Sequence, residues 1–224
     1  MMHVRLVSYS RPTEEFANMG IHDCQDLVAY CARVSNPANQ DNTETSERLI
    51  RYLIQNRHWS PLEMVNVCLE ITTTRDIARQ LLRHRSFSFQ EFSQRYADPV
   101  QELDFEFRDA RLQDPKNRQN SLTTEDATLQ ADWYLKQTEV INVVREAYQW
   151  AIARGIAREQ ARVVLPEGLM QSRLYVNGTL RSWIHYIDLR HGNGTQREHA
   201  DLARVCAEVI AKVLPMAKEF VGED

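Results

Sequence analysis

Residues 64–73 carry the feature that most restricts what this chain can fold into. Apolar side chains occupy every second position of the segment: Val65, Val67, Leu69 and Ile71. A period of two puts alternate side chains on opposite faces of a β-strand, so this strand has one apolar face. Residues 76–85 follow closely and read DIARQLLRHR, good helix formers without glycine or proline. The sequence therefore predicts a strand that leads directly into a helix.

The predicted helix 76–85 has two unlike faces. At 100° per residue, one face is apolar and contains Ile77, Ala78, Leu81 and Leu82. The opposite face is polar and contains Asp76, Gln80, Arg83 and His84. Arg85 would project back among the apolar residues, so either the helix ends before it or Arg85 is buried against an anionic partner. The next residues, SFSFQEF, change to a period of two, which indicates an extended or looped segment.

The remaining segments predict an α+β fold that is largely helical, with a small, mostly antiparallel β-sheet. A second strand is expected at residues 3–10, and the elements show no βαβ alternation. Polar composition predicts loops at 36–45 and 98–121, although Phe105 and Phe107 could form a short strand. We expect a helix at 123–154, with Asp126 in a capping box, and a turn at 177–181. Further helices are predicted at residues 23–34, 46–56, 156–162, 180–189 and 198–214.

Composition narrows the class of protein. The 224 residues are 43% hydrophobic and 26% charged, which suits one globular domain over residues 1–224. The formal net charge of −4 argues against a nucleic-acid partner, since general nucleic-acid binders are more often basic. No apolar run of about 18 residues is present, so no membrane partner is expected. The four cysteines include no CxxC pair and indicate reduced thiols of a cytoplasmic protein.

The stretch Arg83–Tyr96, RHRSFSFQEFSQRY, concentrates hydrogen-bond donors around one carboxylate. Arginine supplies a rigid, permanently charged fork that suits phosphate or carboxylate oxygens, and serine hydroxyls add neutral donors. This pattern favours a phosphorylated small molecule as the ligand. Composition alone also allows a solvated basic surface.

The same stretch resembles the signature of flavin-dependent thymidylate synthases, RHRxxSxNxxSxR. Six positions match at the spacing of the signature: Arg83, His84, Arg85, Ser88, Ser93 and Arg95. Gln90 stands where the signature has Asn. Residues 58–63, HWSPLE, resemble the family's HxSPxEH element, with Met64 in place of the final His.

A third block lies in and around the predicted helix 180–189. The apolar side of this helix contains Leu180, Trp183, Ile184 and Ile187. Arg181, His185 and Arg190 keep the family's +4 and +9 spacing. Arg162 and Asn177 also lie in a segment that resembles the C-terminal half of the family. The resemblance covers about residues 55–200.

The resemblance implies reductive methylation of dUMP to dTMP, with methylenetetrahydrofolate as one-carbon donor, FAD as hydride carrier and NADPH as reductant. It also implies a homotetramer with sites at subunit interfaces. Arg190 would be catalytic, because it would face the N3/O4 edge of uracil and stabilise the charge of the activated ring. The residues implied for dUMP are Gln80, Arg83, Glu91, Ser93, Arg95, Arg162 and Arg190. Those implied for FAD are His58, Ser60, Arg83, His84, Arg85, Glu91, Asn177, Arg181 and His185.

Two other functions stay open. One is a related flavin enzyme that hydroxymethylates dUMP, and the other is a non-catalytic nucleotide- or RNA-binding module that uses the arginine clusters. Ser93 is less favoured as a nucleophile than as a phosphate ligand, because His84 is its only nearby base and neighbouring arginines oppose protonation of that ring. His58, Glu63 and His84 match no zinc spacing, so no metal is expected. The chain also lacks GxSxG and GxGxxG motifs.

Overall fold

The computed structural model describes residues 2–192 and 194–221. The protein has an α+β fold that is 49% helical, which confirms the predicted class. Its helices are α1 (Glu14–Asn18), α2 (Cys24–Ala32), α3 (Ser46–Gln55), α4 (Arg75–Leu81), α5 (Pro99–Glu102), α6 (Ala127–Ala153), α7 (Arg158–Ala161), α8 (Leu180–Arg190) and α9 (Arg197–Ile210). Its strands are β1 (His3–Tyr9), β2 (Asn66–Thr74), β3 (Ser88–Glu91), β4 (Arg111–Gln113), β5 (Ser121–Thr123) and β6 (Gln171–Thr179). Within the described ranges, no helix is both long and apolar enough to cross a membrane.

Four strands form one antiparallel sheet in the spatial order β1, β2, β6, β3. The predicted alternation of β2 is confirmed, because Val67, Leu69 and Ile71 are fully buried. These side chains belong to one apolar cluster with residues of α2, α3, α4, α8 and α9. The pairing of β2 with β6 on one side and β1 on the other makes β2 a central strand.

Helix α8 buries the side that the sequence predicts. Leu180, Trp183, Ile184 and Ile187 are all buried. Trp183 also donates from its indole Nε1 to the carbonyl oxygen of Val67 at 2.9 Å. The largest core side chain of α8 therefore fixes this helix to β2 by a polar bond as well as by packing.

Strand β6 is the main element that the sequence prediction missed. The expected turn at 177–181 is wrong, since β6 extends to Thr179 and α8 begins at the next residue. Buried Leu174 and Val176 give the strand its period of two. Gly178, which suggested a turn, instead permits a close approach by another side chain.

Helix α4 is shorter than predicted and ends at Leu81. This decides between the two alternatives for Arg85, whose side chain is exposed beyond the end of the helix. The segment SFSFQEF then provides β3, which pairs with β6 at the edge of the sheet. The change of period in the sequence thus corresponds to a change from helix to strand.

The long helix α6 begins later than predicted. Thr123 lies in β5, which is paired with β4. Asp126 is the N-cap residue itself, and its side chain accepts from the backbone N–H groups of Thr128 and Leu129. The helix predicted at 156–162 is present as α7 and is followed by a 3₁₀ turn at Arg162–Val164.

Residues 98–121 hold more structure than the predicted loop, since they include α5 and β4. Phe105 forms an isolated bridge with Met170, whereas Phe107 lies outside the strands. The expected short strand is therefore reduced to a single bridged residue.

Two glutamines of α6 hold this segment in place. Gln137 accepts from the backbone N–H of Arg108 at 2.8 Å and donates to its carbonyl oxygen at 2.9 Å. Gln130 makes the same pair of bonds to Ala110, at 2.8 and 3.0 Å. These bonds satisfy backbone groups that the polar, proline-interrupted segment does not pair with itself.

Phe87 anchors the segment between α4 and β3 onto the sheet. Its ring lies against Gly178 of β6 so closely that a Cβ at Gly178 would be 2.3 Å from the ring. The ring also contacts Trp183, with ring centroids 4.5 Å apart. Because Phe87 is only three residues after His84, this anchor restricts where His84 can lie.

We expect Gly178→Ala to lower the free energy of unfolding by about 1–3 kcal/mol, because the added methyl group overlaps the Phe87 ring. Gly168→Ala is the matched control, since a Cβ there meets no atom within 4 Å. In a Phe87→Leu background the cost of Gly178→Ala should be smaller. Urea denaturation measures all three effects. An equal cost in both backgrounds would show that this contact is not the cause.

Candidate active site

The segment just after α4 meets the C-terminal end of α8, although the residues in contact are 106 positions apart in the chain. Arg190, the last residue of α8, donates from Nε to Nε2 of His84 at 2.9 Å. The His84 ring stands nearly perpendicular to the Tyr186 ring, with centroids 5.0 Å apart. Two residues from separate predicted blocks are thus in direct contact.

His84 is neutral in this arrangement. Burial and the charges of Arg190 and Arg83 lower its pKa from 6.5 to about 4. Because Nε2 accepts a hydrogen bond from Arg190, the ring proton is on Nδ1. Within the described residues, the two terminal nitrogens of Arg190 have no hydrogen-bond partner, so they are able to bind oxygen atoms of a ligand.

A second set of polar contacts lies in the last turn of α4, four residues before His84. Gln80 donates from Nε2 to Oε1 of Gln196 at 2.7 Å, and its own Oε1 is 3.2 Å from Nδ1 of His199. His199 is fully buried. Burial and the charge of Arg190 lower its pKa from 6.5 to about 3. Both the nitrogen and the oxygen of the Gln80 amide are therefore in contact with polar side chains close to the Arg190–His84 pair.

The sequence prediction missed His199, Gln196 and Tyr186. A signal for His199 exists in the sequence, since it precedes Leu202, Cys206 and Ile210 of the α9 apolar stripe by helical spacing. A histidine on such a stripe is buried and needs a polar partner. Nothing in the sequence identifies that partner as Gln80.

The HWSPLE element lies against the beginning of α8, where residues Ser60–Glu63 form a 3₁₀ turn. Arg181 donates to the carboxylate of Glu63. The rings of Trp59 and His185 meet nearly at right angles, with centroids 4.3 Å apart. Desolvation and the charge of Arg181 lower the pKa of His185. The second and third predicted blocks are therefore in contact through two pairs of side chains.

Strand β3 carries Glu91 and Ser88 at the edge of the sheet. Glu91 accepts from Ser172 Oγ at 2.7 Å and from Arg75 at 3.5 Å, which fixes its carboxylate. Ser88 is the register partner of Asn177 on β6, and both side chains are exposed. Asn177 therefore lies beside the motif, although it is in a strand and not in the predicted turn.

Ser93 and Arg95 lie just beyond β3. The hydroxyl of Ser93 accepts from the backbone N–H of Arg95 at 3.4 Å. Arg95 forms an ion pair with Glu159 at 3.2 Å, which brings α7 and the exposed Arg162 towards the motif. In the part of the chain that the structure describes, no histidine is bonded to Ser93, which favours a ligand role over a nucleophilic one.

Three further arginines of the predicted site have no carboxylate partner among the described residues: Arg83, Arg85 and Arg162. All three are exposed. Guanidinium groups without a counter-ion are suited to binding phosphate oxygens. The site therefore offers positive charge that the protein itself leaves unpaired.

Comparison with known proteins identifies the family. The sequence model described as thymidylate synthase complementing protein matches residues 18–216. A relative named probable flavin-dependent thymidylate synthase, from Paramecium bursaria Chlorella virus 1, is 46% identical over 214 residues, 96% of each chain. The flavin-dependent thymidylate synthase of Synechocystis sp. is 44% identical over 214 residues, again 96% of each chain. The chain belongs to the flavin-dependent thymidylate synthase family.

Solved structures of a similar protein have the same fold as this chain. The UMP/dUMP methylase PolB from Streptomyces cacaoi, bound with 5-Br dUMP, matches with a TM-score of 0.79 and 29% identity. The match covers 98% of this chain and 94% of the PolB chain. PolB bound with 5-Br UMP matches with a TM-score of 0.75 and 26% identity.

In this flavin-dependent thymidylate synthase family member, the residues that the resemblance implies fall into three groups, apart from Arg83 and Arg85, which are exposed just after α4. The first contains His84 and Arg190, which are bonded to each other, and Gln80, which precedes His84 by four residues and is bonded to Gln196 and His199. Arg181 and His185 contact the HWSPLE element, in which His58 and Ser60 are exposed. The third group lies along β3 and α7 and contains Glu91, Ser93, Arg95, Asn177 and Arg162.

We expect this protein to lose stability as the pH falls from about 6.5 towards 4. The pKa values of His84 and His199 are about 4 and 3 in the folded chain, below the ordinary value of 6.5. In this window the unfolded chain binds protons that the folded chain does not, so each histidine lowers the free energy of unfolding by up to ~1.4 kcal/mol per pH unit.

Urea denaturation at a series of pH values between roughly 7 and 5 tests this expectation. The series stops there because carboxyl groups also titrate at lower pH. His199→Leu should show a shallower dependence on pH than the wild type, because one of the two groups has been removed. A stability that does not change over this range would contradict the neutral state of both buried rings.

Proposed function

We propose that this chain converts dUMP to dTMP by reductive methylation, with methylenetetrahydrofolate as one-carbon donor, FAD as hydride carrier and NADPH as reductant. One observation carries the proposal: Arg190 is held by His84 at 2.9 Å, so two of the family's sequence blocks meet at one point. The names of the relatives and the dUMP analogue bound to PolB support the same reaction.

Arg190 is the proposed catalytic residue. Its Nε is bonded to a neutral imidazole, so the guanidinium keeps its full charge and has a fixed direction. A guanidinium that faces the N3/O4 edge of uracil would stabilise the negative charge that develops as C5 becomes nucleophilic. Gln80, in the last turn of α4 and four residues before His84, would contact dUMP beside it.

The phosphate of dUMP would be bound by exposed donors around β3 and α7. Among the described residues, Arg83 and Arg162 have no carboxylate partner. Ser93 adds a hydroxyl group. The ion pair of Arg95 with Glu159 is exposed on both sides, so a phosphate group can compete for Arg95. Glu91, fixed by Ser172 and Arg75, would contact both the substrate and the cofactor.

The residues proposed to hold FAD are His58, Ser60, Arg83, His84, Arg85, Glu91, Asn177, Arg181 and His185. The donor set fits the cofactor, because Arg83 and Arg85 offer unpaired positive charge to a diphosphate. The aromatic pair of Trp59 and His185 offers an apolar surface to a ring system. When bound, the flavin supplies the hydride for the reduction. The protein holds and orients the ligands.

UMP is a second candidate substrate, since the structural neighbour PolB is described as a UMP/dUMP methylase. UMP and dUMP differ only at the ribose 2′ position, so assays with each nucleotide separate the two. The mass of the product distinguishes methylation from hydroxymethylation.

We further propose that residues 1–224 act as one functional unit in a homotetramer with sites at subunit interfaces. Large apolar side chains on α6 and after α7 support this, because Trp150 is 57% exposed and Val163 is 83% exposed. They line an apolar cavity of about 550 Å³ together with Val143 and Ile156. The cytoplasmic location stays a prediction.

We expect the purified protein to be yellow and to methylate dUMP, and Arg190→Lys to lose about 10²–10³-fold in kcat while it retains flavin. Lysine keeps the charge but replaces the planar fork with a compact ammonium, so His84 would no longer set its direction. Flavin content from the visible spectrum and dTMP formation are measured on the same preparations.

Two controls accompany this variant. Arg85→Ala should lose flavin, whereas Arg79→Lys, which keeps the charge of an exposed ion pair with Glu167, should keep normal activity. Near-normal turnover of Arg190→Lys, or a defect explained entirely by lost flavin, would remove Arg190 from the chemistry. A colourless protein without turnover would favour the non-catalytic binding module.

We expect Trp150→Glu to lower the mass of the assembly from four times the 26.2 kDa chain to a smaller species, with loss of activity. A charge at this position cannot be buried without a partner. Lys136→Ala on the same helix is the matched control, because it removes only an exposed pair with Glu139. Light scattering measures the masses. A monomeric wild type with full activity would refute the tetramer.

A further inference from the structure

The polar contacts beneath Arg190 form one continuous chain. His199 Nδ1 contacts Gln80 Oε1 at 3.2 Å, and Gln80 Nε2 donates to Gln196 Oε1 at 2.7 Å. Gln196 Nε2 then donates to Glu198 at 3.0 Å, and the other carboxylate oxygen of Glu198 accepts from Arg111. This series of hydrogen bonds therefore connects a buried histidine of α9 with strand β4 through the amide of Gln80.

The direction of every hydrogen bond in this chain is determined. The Oε1 atom of Gln80 has no proton, so Nδ1 of His199 must be the donor. A carboxylate accepts only, so Gln196 must present its amide nitrogen to Glu198, and its Oε1 must accept from Gln80. A flipped Gln80 amide would place two acceptor oxygens against each other at Gln196 and would require the other tautomer of His199.

His199 is suited to donate a hydrogen bond to Gln80 and to accept another at Nε2, because its ring is neutral. It is fully buried, and the positive charge of Arg190 opposes its protonation. With the proton on Nδ1, its Nε2 is an acceptor, and among the described residues this buried atom has no hydrogen-bond partner. The buried hydroxyl of Tyr186 also lacks one, and the two rings lie 5.7 Å apart. A direct bond or one bridging water between these atoms would complete the chain.

We propose that His199 is a positioning residue for Gln80, whose amide it holds in the one orientation that the nucleotide meets. This inference rests on the proposed function, in which Gln80 contacts dUMP. His199 acts only through Gln80 and does not touch the substrate, since it lies inside the protein between α4, α8 and α9. The ring is fully buried and neutral at neutral pH, so it can keep its Nδ1 proton as the donor to Gln80.

The test compares variants that keep or remove the donor at the Nδ1 position. His199→Asn retains an N–H group at nearly the same place, whereas His199→Leu replaces the ring with an apolar side chain. Loss of one orienting neutral hydrogen bond should weaken dUMP binding about five- to tenfold in His199→Leu. His199→Asn should stay within about twofold of the wild type. Isothermal titration with dUMP, flavin content and melting temperature are measured for each variant.

A double-mutant cycle separates positioning from general destabilisation. In a Gln80→Leu background, His199→Leu should weaken dUMP binding no further, because the group that it orients is absent. Cys206→Ala, two turns along the same buried face of α9, reports the effect of a lost core contact on dUMP affinity. An equal loss of affinity in both backgrounds, or failure of His199→Asn to restore binding, would overturn the proposal.

A spectroscopic measurement tests the assignment independently of activity. In protein labelled with ¹⁵N at histidine, His199 should be the neutral Nδ1–H tautomer at neutral pH, and an Nε2–H tautomer would overturn the inference. Failure of the wild type to bind dUMP would overturn the proposed function and this role together. Normal dUMP binding by both the wild type and His199→Leu would remove the positioning role alone.

Discussion

The antiparallel pairing of β2 with β6 is the constraint on which the site depends. Both strands have nine residues, and each passes without a loop into a helix, β2 into α4 and β6 into α8. Because the strands run in opposite directions, the two helices start at opposite ends of the pair. The strands are about 30 Å long, and α4 and α8 are about 10 and 16 Å long, so helices that run back along the sheet end near one another. Arg190 and His84 meet where they end.

The elements with a strong period could be predicted from the sequence, and those defined by distant contacts could not. Strand β2 and the buried side of α8 follow from spacing alone. Strand β6 is hard to predict from the sequence because Gly178, which leaves room for the Phe87 ring, is also typical of a turn. Thr123 belongs to β5 and pairs with Arg111 of β4, although neither three-residue strand is long enough to show a period of two in the sequence.

The site shows the same division. The motif spacing indicates His84, Arg190 and Arg181 as candidates, but it does not show which residues pair with them. The partner of Arg181 is Glu63, 118 positions away, and the partner of Gln80 is His199, 119 positions away. Such pairs depend on how helices pack, which a single sequence does not encode as a local pattern. The exposure of Arg85 has a local cause, because α4 ends before this residue.

The two arginines of α8 show why the partner of each matters. Arg181 is paired with the carboxylate of Glu63, which partly offsets its charge and occupies part of its donor fork. Arg190 is bonded instead through Nε to a neutral imidazole. A neutral acceptor fixes the direction of the guanidinium without competing for its charge, and it leaves both terminal nitrogens for a ligand. This arrangement requires His84 to stay unprotonated, because a second cation 2.9 Å from Arg190 would repel it and would have no lone pair to offer. The burial of His84 and the charge of Arg83 both act in that direction, so the surroundings that lower the pKa of His84 are the same surroundings that keep Arg190 oriented and fully charged.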